Sequence, residues 1–381
     1  MRTYLDHNAT SPLRREAREA YAAALAAPAG NASSMHAEGR AARALLDAAR
    51  ANVAAFAGVP AKDVVFTSGG SEALAAAIRG VADRADVRKR RIVVSSIEHS
   101  AVLEAARALT ESGFDVLEIP CGASGRIDAE VFASALNERT AIACLQAANN
   151  ETGVLQPVSE VGASCREAGV PFLVDAIQAA GKVPIDRDGW GADLLALSAH
   201  KLGGPQGAGA LIVVDGPAMA PLIAGGAQER RRRGGTEAVA TLAAFGAACL
   251  AAGRDLPEES ARLLQLRERI ESALLDLSPG VRIHGDTAPR LPNTVNAAFP
   301  GVPGETLVIA LDLAGFAVST GSACASGAVT PSHVIRAMGF DDDEARGAVR
   351  ISLGWSTTAV DVERLLAALP ALLARATMAG R

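Results

Sequence analysis

A chain of 381 residues can bury a large core and is longer than one ordinary domain. Apolar residues make up 49% but aromatics only 3%, which suits helices packed around a sheet better than an aromatic-rich sandwich. The formal charge of −5 gives no ground for a nucleic-acid surface. The opening residues Met1 to Asp6 contain no apolar export-signal core, and the longest apolar stretch, 238–253, is broken by Gly246 and Gly253 and is short of a bilayer span. A soluble, cytoplasmic protein with no membrane contact is expected.

Residues 1–13 read as an arm, with a loop at Asp6-His7-Asn8-Ala9-Thr10-Ser11-Pro12. A helix is predicted from Leu13 toward Ala27. The break at Asn31-Ala32-Ser33-Ser34 caps a second helix over 36–58. A strand at Val64–Thr67 runs into Ser68-Gly69-Gly70-Ser71-Glu72 and a helix over 73–82. Glycines at such a junction leave N–H groups and a helix dipole facing outward, which suits a phosphate; simple capping by Ser71 is the alternative. The basic run Arg88 to Arg91 reads as a solvated turn before a strand over 92–95, and Glu98-His99-Ser100 opens a helix over 101–113. Then come a strand over 116–120, a helix over 128–136, and a strand over 141–147 that ends in Asn149-Asn150-Glu151-Thr152-Gly153. A helix over 158–169 leads to Pro171 to Val174 and Asp175-Ala176-Ile177-Gln178. This rhythm predicts βαβ units and a mainly parallel α/β sheet, with its chemistry beyond the carboxyl ends of the strands. Ser71, His99, Asn150, Asp175, Gln178 and Lys201 all follow a predicted strand.

Around Ser198-Ala199-His200-Lys201, the runs 194–197 and 210–214 read as strand, tight glycine turn and strand. A lysine at the end of a buried strand is partly desolvated, which frees its amine for a Schiff base with a carbonyl; a solvated lysine on a hairpin is the alternative. The glycines follow the lysine, the wrong order for a phosphate-binding P-loop. Arg230-Arg231-Arg232-Arg233-Gly234-Gly235-Thr236 reads as a solvated loop or an anion site opening a helix. The helical region 237–277 shifts in composition near Asp255-Leu256-Pro257. Beyond 281, shorter strands over 294–299, 316–319 and 350–353 predict a smaller α+β unit. The expected division is 14–255 for the large domain, and 1–13 with 256–381 for the small one.

The five cysteines are odd in number and none has Cys-x-x-Cys spacing, so neither a disulfide framework nor a structural zinc site is indicated. Cys144, Cys165 and Cys249 fall in strand-like or helix-like runs and are expected in the core. Cys324 differs: small residues surround it from Ser319 to Gly327, which predicts a mobile, exposed loop. A Schiff-base lysine, an anion-binding helix start and a strand-ending aspartate are the parts needed to hold pyridoxal phosphate. Asp175 can keep the pyridine nitrogen protonated, Gln178 can donate to the phenolic oxygen, and His99 can stack on the ring and move protons. Alone, Asp175 also reads as a helix cap and His99 as a core histidine. Arg350 suits bidentate binding of a substrate carboxylate.

Tyr4-Leu-Asp-His-Asn-Ala-Thr, Phe66-Thr-Ser-Gly-Gly-Ser-Glu, Glu98-His99, Asn149-Asn-Glu-Thr-Gly, Val174-Asp-Ala-Ile-Gln, Ser198-Ala-His-Lys, Arg233-Gly-Gly-Thr and Gly321-Ser-Ala-Cys together resemble the cysteine desulfurases of the NifS/IscS group, in the class V aminotransferase branch of fold-type I pyridoxal-phosphate enzymes. The resemblance implies a seven-stranded, mainly parallel sheet and a homodimer. It implies that Lys201 carries the cofactor and later acts as base. Gly70, Ser71, Ser198 and His200 would bind the phosphate, with Thr236 supplied by the partner subunit. Asn150 and Gln178 would hold the ring oxygen and the substrate, with Asn31 and Arg350 also on the substrate. Cys324 would attack the sulfur of L-cysteine and carry it as a persulfide to an acceptor or iron–sulfur scaffold, where it would also be a transient cluster ligand. Pro331-Ser332-His333-Val334 sits closer to the long-loop group. Ala32 stands where the family often has proline and Ala75 where asparagine is frequent. A related aminotransferase, a selenocysteine lyase or a silent sulfur relay are the competing readings.

Overall fold

The computed structural model describes residues 2–214, 216–320 and 330–379. The chain runs β1 (Thr3–Tyr4), α1 (Arg15–Ala26), α2 (Ala37–Ala57), β2 (Val64–Thr67), α3 (Gly70–Ala82), β3 (Arg91–Ser95) and α4 (Ser100–Arg107). It continues through β4 (Asp115–Ile119), α5 (Ala129–Ala135), β5 (Thr140–Gln146), α6 (Val158–Glu167), β6 (Phe172–Asp175), α7 (Arg187–Trp190), β7 (Leu194–Ser198) and β8 (Gly209–Val213). After the long helix α8 (Val239–Leu277) come β9 (Arg282–Ile283), β10 (Thr294–Ala298), α9 (Gly304–Leu313), β11 (Phe316–Ala317), β12 (Ser319–Thr320), α10 (His333–Ala337), α11 (Asp342–Gly347), β13 (Val349–Ser352) and α12 (Ala359–Ala379).

Seven strands form one sheet in the order β2-β8-β7-β6-β5-β3-β4. All neighbours from β7 to β4 are parallel, and β8 runs antiparallel to both β7 and β2. Side chains that alternate along a strand serve opposite faces. Phe172 and Val174 of β6 join one apolar cluster and Leu173 the other, as do Ala210 and Ile212 against Leu211 and Val213 of β8. That two-sided burial explains why the strands read as unbroken apolar runs. Helices α3 and α4 cover one face, through Leu74, Ile78, Val102 and Leu103. The other face is covered from α2, α5, α6 and α8, through Leu46, Val53, Phe132, Val161 and Phe245. The strand order reverses between β5 and β3, and in open parallel sheets ligand sites lie at the carboxyl ends beside such a reversal.

A second, antiparallel sheet has the order β12-β13-β10-β9, and β1 pairs in parallel with β11. Its cluster takes in Leu5 of the arm, Leu263, Ile270 and Leu274 of α8, Val295, Ile351, and Leu365 and Leu369 of α12. The expected division at residue 255 therefore falls inside α8, a single helix that contains Pro257. Its first half packs Leu242, Phe245 and Ala248 on the large sheet, and its second half packs on the small one. By length and composition α8 is apolar enough to cross a membrane, but 44% of its apolar window is already buried inside the protein, with Leu242, Phe245, Leu263, Ile270 and Leu274 in the two cores. The expected helix over 101–113 ends at Arg107 and tightens into a 3₁₀ turn over Ala108–Ser112. The expected tight turn between β7 and β8 is instead the loop 199–208, which starts as a 3₁₀ turn at Ala199–Lys201.

Of the four arginines at 230–233, only Arg233 is substantially covered, and it pairs with Glu72 at 2.9 Å. The preceding Glu229 does more. It is buried, takes both arms of Arg50 at 2.7 Å, and accepts the N–H of Phe66 at 2.9 Å. Glu229, Arg230 and Arg231 all hold left-handed backbone, with φ of 44°, 54° and 64°, a strained arrangement for non-glycine residues that the Arg50 clamp stabilises. Arg50→Met is expected to lower the unfolding free energy by about 3–5 kcal/mol, because a buried carboxylate is left alone. Arg50→Met/Glu229→Met should lose less. Urea denaturation of the three proteins reads the difference, and a single variant as stable as the parent would contradict it.

Candidate active site

A cavity of about 270 Å³ lies beyond the carboxyl ends of β5, β6 and β7. Gly70, Ser71, His99, Asn150, Asp175, Gln178, Ser198, His200 and Lys201 all line it, together with Ala9 and Gln146. Each reaches it for a local reason. Helix α3 begins at Gly70 with Gly69 as its N-cap and no side-chain cap, so Ser71 lies inside the helix rather than capping it. The first-turn N–H groups are left open to an anion. A Cβ on Gly70 would lie 2.3 Å from Ile177 Cδ1, and one on Gly209 would lie 2.6 Å from the backbone of Gly69. At position 209 only glycine lets β8 lie against the backbone of the helix start, whereas at position 70 the tip of Ile177 would have to move.

Lys201 ends the 3₁₀ turn after β7. Its Nζ donates to the carbonyls of Asn8 and Ala9 at 2.6 and 2.9 Å, so the arm crosses the cavity mouth and holds the amine there. Gln178 Nε2 donates to the same Asn8 oxygen at 2.9 Å. Asp175 closes β6, and its Oδ1 accepts the N–H of Ile177 at 2.9 Å. Burial pushes its carboxyl up to about 6, against the pull of that N–H and of Lys201. A cation or a proton beside it would relieve that cost. His99 Nδ1 accepts the N–H of Ala101 and caps α4, which leaves the proton of the neutral ring on Nε2. His200 Nδ1 lies 3.1 Å from Thr10 Oγ1.

Other expected members stand apart. Arg350 is buried on β13; its Nη2 pairs with Asp6 at 2.8 Å and its Nη1 donates to the Asn150 carbonyl at 3.2 Å. Its Nε has no partner among the described residues, so the arginine sits behind Asn150 with one donor unspent. Asn31 is exposed, its Oδ1 taken by the N–H of Ser33 at 2.8 Å, and Thr236 is exposed too; neither lines the cavity. Cys324, expected both as nucleophile and as a transient cluster ligand, lies outside the described residues. The other four cysteines are described, and burial raises the thiol of each: Cys121 to about 11, Cys165 to about 12, and Cys144 and Cys249 well above the ordinary range. Among the described residues no cluster of three His, Cys, Asp or Glu is placed to hold a metal.

Sequence reasoning quoted Asn8 and Glu98 within its motifs but gave no site role to them or to Gln146 and Lys182. Asn8 is buried and fastens its side chain to Asn150 O, Thr294 and Asn293. Glu98 is fully buried and pushed up to about 8 by burial, despite bonds from Ser95 and the Gln146 N–H. The density of polar residues in Asp6 to Ser11 was the available signal for Asn8; nothing in the sequence marked Lys182.

The titrating groups of the site have opposite signs. Burial, with Lys201 adding, lowers His99 and His200 from 6.5 to about 4. Their stabilising contribution is present above 6.5 and is lost as the pH falls toward 4. Asp175 is raised from 3.8 to about 6. Its contribution is present below 3.8 and is lost as the pH rises through 6. In the cofactor-free protein, Asp175→Asn should therefore gain on the parent by about 2 kcal/mol between pH 4 and pH 7. His200→Gln should gain on the parent in the reverse direction, between pH 7 and pH 4.5. Urea midpoints measured across that range test both, and parallel curves for parent and variants would refute the burial argument.

The class-V aminotransferase family model matches residues 3–365. A cysteine desulfurase of Cereibacter sphaeroides is 46% identical over 98% of this chain and 96% of its own length. A cysteine desulfurase IscS of Dictyoglomus turgidum is 38% identical over 97% and 94%. Among solved structures, a NifS-like protein superposes with a TM-score of 0.92 at 34% identity, covering 98% of this chain and all of that one. A structure of SspA in complex with cysteine gives 0.82 at 32% identity, over 92% and 98%. With the family model matched over residues 3–365 and these relatives matched over nearly the whole chain, this chain belongs to the class-V aminotransferase family.

Proposed function

We propose that the protein is a cysteine desulfurase that uses pyridoxal phosphate to take sulfur from L-cysteine, releasing L-alanine. The observation that carries the reading is one small cavity ringed by a lysine amine, a buried carboxyl and an uncapped helix start. Those residues fit the cofactor: the α3 start suits its phosphate, Asp175 suits a protonated ring nitrogen, and Lys201 suits its aldehyde. When bound, pyridoxal phosphate supplies an electron sink for a carbanion beside the substrate amine.

The chain's own residues do the rest. The N–H groups of Gly70 and Ser71, with the side chains of Ser198 and His200, would grip the phosphate. Asp175 would hold the proton of the ring nitrogen. Neutral His99 would cover the ring and pass protons through Nε2, because its Nδ1 is committed to Ala101. Lys201 Nζ would take and return the proton at the substrate's α-carbon. Asn150 and Gln178 would hold the ring oxygen and substrate, and Arg350, with Nε unspent, the substrate carboxylate. The Cys324 thiolate would form an S–S bond to the substrate sulfur as the C–S bond breaks. The carbon keeps that electron pair, is protonated and leaves as alanine. Burial of the other four thiols supports giving this step to Cys324, whose persulfide would then pass to an acceptor for iron–sulfur assembly or thiolation.

Two copies of the chain belong to the proposal. The Arg233–Glu72 pair ties the 233–236 loop beside the first turn of α3, and Thr236 and, in the connection between α1 and α2, Asn31 are exposed, as residues shared with a second copy would need to be. The working division is a large unit over 14–255 and a small one over 1–13 and 256–381.

The purified protein loaded with pyridoxal phosphate should be yellow, bleach on adding L-cysteine, and release sulfide under reductant with equimolar alanine. Cys324→Ser should keep the colour and lose sulfide release by about 100-fold or more; full turnover in that variant would favour an aminotransferase instead. Lys201→Ala should lose both colour and turnover.

A further inference from the structure

Beneath the cavity lies a cation that the desulfurase reading leaves without a task. Lys182 follows Gln178 by four residues and is 5% exposed. Its Nζ donates to Gln178 O and to Gln178 Oε1, each at 2.9 Å. No carboxylate bonds to it among the described residues. The charged groups that bear on it are Lys201 and Arg350, and it bears in turn on His7 and His200. A buried ammonium served only by amide oxygens is a costly arrangement, and an apolar side chain of that length would cost less.

The hydrogen-bond pattern of Gln178 gives the reason. The two ends of an amide have almost the same shape, and only their partners distinguish them. An ammonium has donors and no acceptor, so the end that faces it must be Oε1. Nε2 is thereby turned the other way, where one of its hydrogens goes to Asn8 O at 2.9 Å, beside the bond from Lys201 Nζ to that oxygen at 2.6 Å. The second hydrogen is left for the cavity that Gln178 lines. The Asn8 carbonyl, which can only accept, and the Lys182 ammonium, which can only donate, therefore hold the amide from its two ends, and removing Lys182 leaves only the Asn8 end fixed.

We propose that Lys182 is a positioning residue: by holding Gln178 Oε1 it aims an Nε2 hydrogen at the ring oxygen of the bound cofactor, and its positive charge favours the anionic form of that oxygen. The inference rests on the desulfurase reading only in needing pyridoxal phosphate bound at Lys201. Burial, with Lys201 and then Arg350 adding, pushes Lys182 down to about 7. An amine that has lost one proton still has two hydrogens for its two bonds, and with Asn8 O holding Nε2 the aim persists through neutral pH while the charge fades.

The test is a pH titration of the visible band of the holoenzyme, with pyridoxal phosphate affinity measured alongside. Lys182→Met should raise the midpoint of the band by about one pH unit and lower kcat with KM for L-cysteine little changed. Lys182→Arg, which keeps charge and donors, should bring the midpoint back toward the parent. If Lys182→Met does not fold, Lys182→Gln, neutral but able to donate, should show the raised midpoint. A coloured Lys182→Met or Lys182→Gln enzyme with the parent's midpoint and kcat would overturn the proposal and leave the desulfurase reading intact. A parent protein that never colours with pyridoxal phosphate would remove both.

Discussion

One carbonyl oxygen, that of Asn8, organises the site. It accepts from Lys201 Nζ and from Gln178 Nε2 at once, so it sets the place of the amine and of the amide together. A backbone oxygen can do this only if its own peptide is immobile. Asn8 meets that need with every polar atom it has: its N–H goes to Ser352 Oγ, its Nδ2 to Asn150 O and Thr294 Oγ1, and its Oδ1 accepts from Asn293. Those partners belong to the small sheet and the loop after β5. The arm is therefore a strap between the two cores, and the amine's position depends on how they meet.

Burial then does the electrostatic work. The same loss of water that lowers His99, His200 and Lys182 raises Asp175 and Glu98. Each shift moves its group toward the neutral form. At neutral pH the imidazoles carry no charge, so the positive groups around the cavity are Lys201 and Arg350, with Lys182 contributing only in part. The field thus comes from amines and a guanidinium, which suits a site for a ligand bearing a phosphate and a carboxylate. Its counterweight among the cavity's residues is Asp175.

Much of the sheet was legible because its strands are buried on both faces and so stand out as short apolar runs between glycines. Val64–Thr67 and Phe172–Asp175 matched within a residue. The polar residues that follow those runs were legible as a set, since a parallel sheet sends them all to one edge. What stayed hidden depends on contacts distant in sequence. Nothing around Lys182 in Ala179-Ala180-Gly181-Lys182 distinguishes a surface lysine from one buried beside its own Gln178. Asn8 looked like part of a polar loop because its partners lie at 150, 293, 294 and 352. The turn between β7 and β8 was misjudged as tight because glycines there serve close approach, as Gly209 does against Gly69, rather than a short hairpin.

Helix α8 shows why the cavity lies at a seam. A lone helix that packs against two separate cores has to present apolar residues to each in turn, and Pro257 stands where one set gives way to the other. Proline lacks an N–H, so the helix gives up one internal hydrogen bond at that point. The polar groups nearby are not idle: Arg14 bonds Asp255 and Glu259 on α8, and its Nε donates to Leu202 O, one residue beyond the lysine. A single arginine thus ties the shared helix to the turn that carries Lys201. The Asn8 strap and Arg14 together therefore tie the turn that carries the amine to the small sheet and to the helix both cores share.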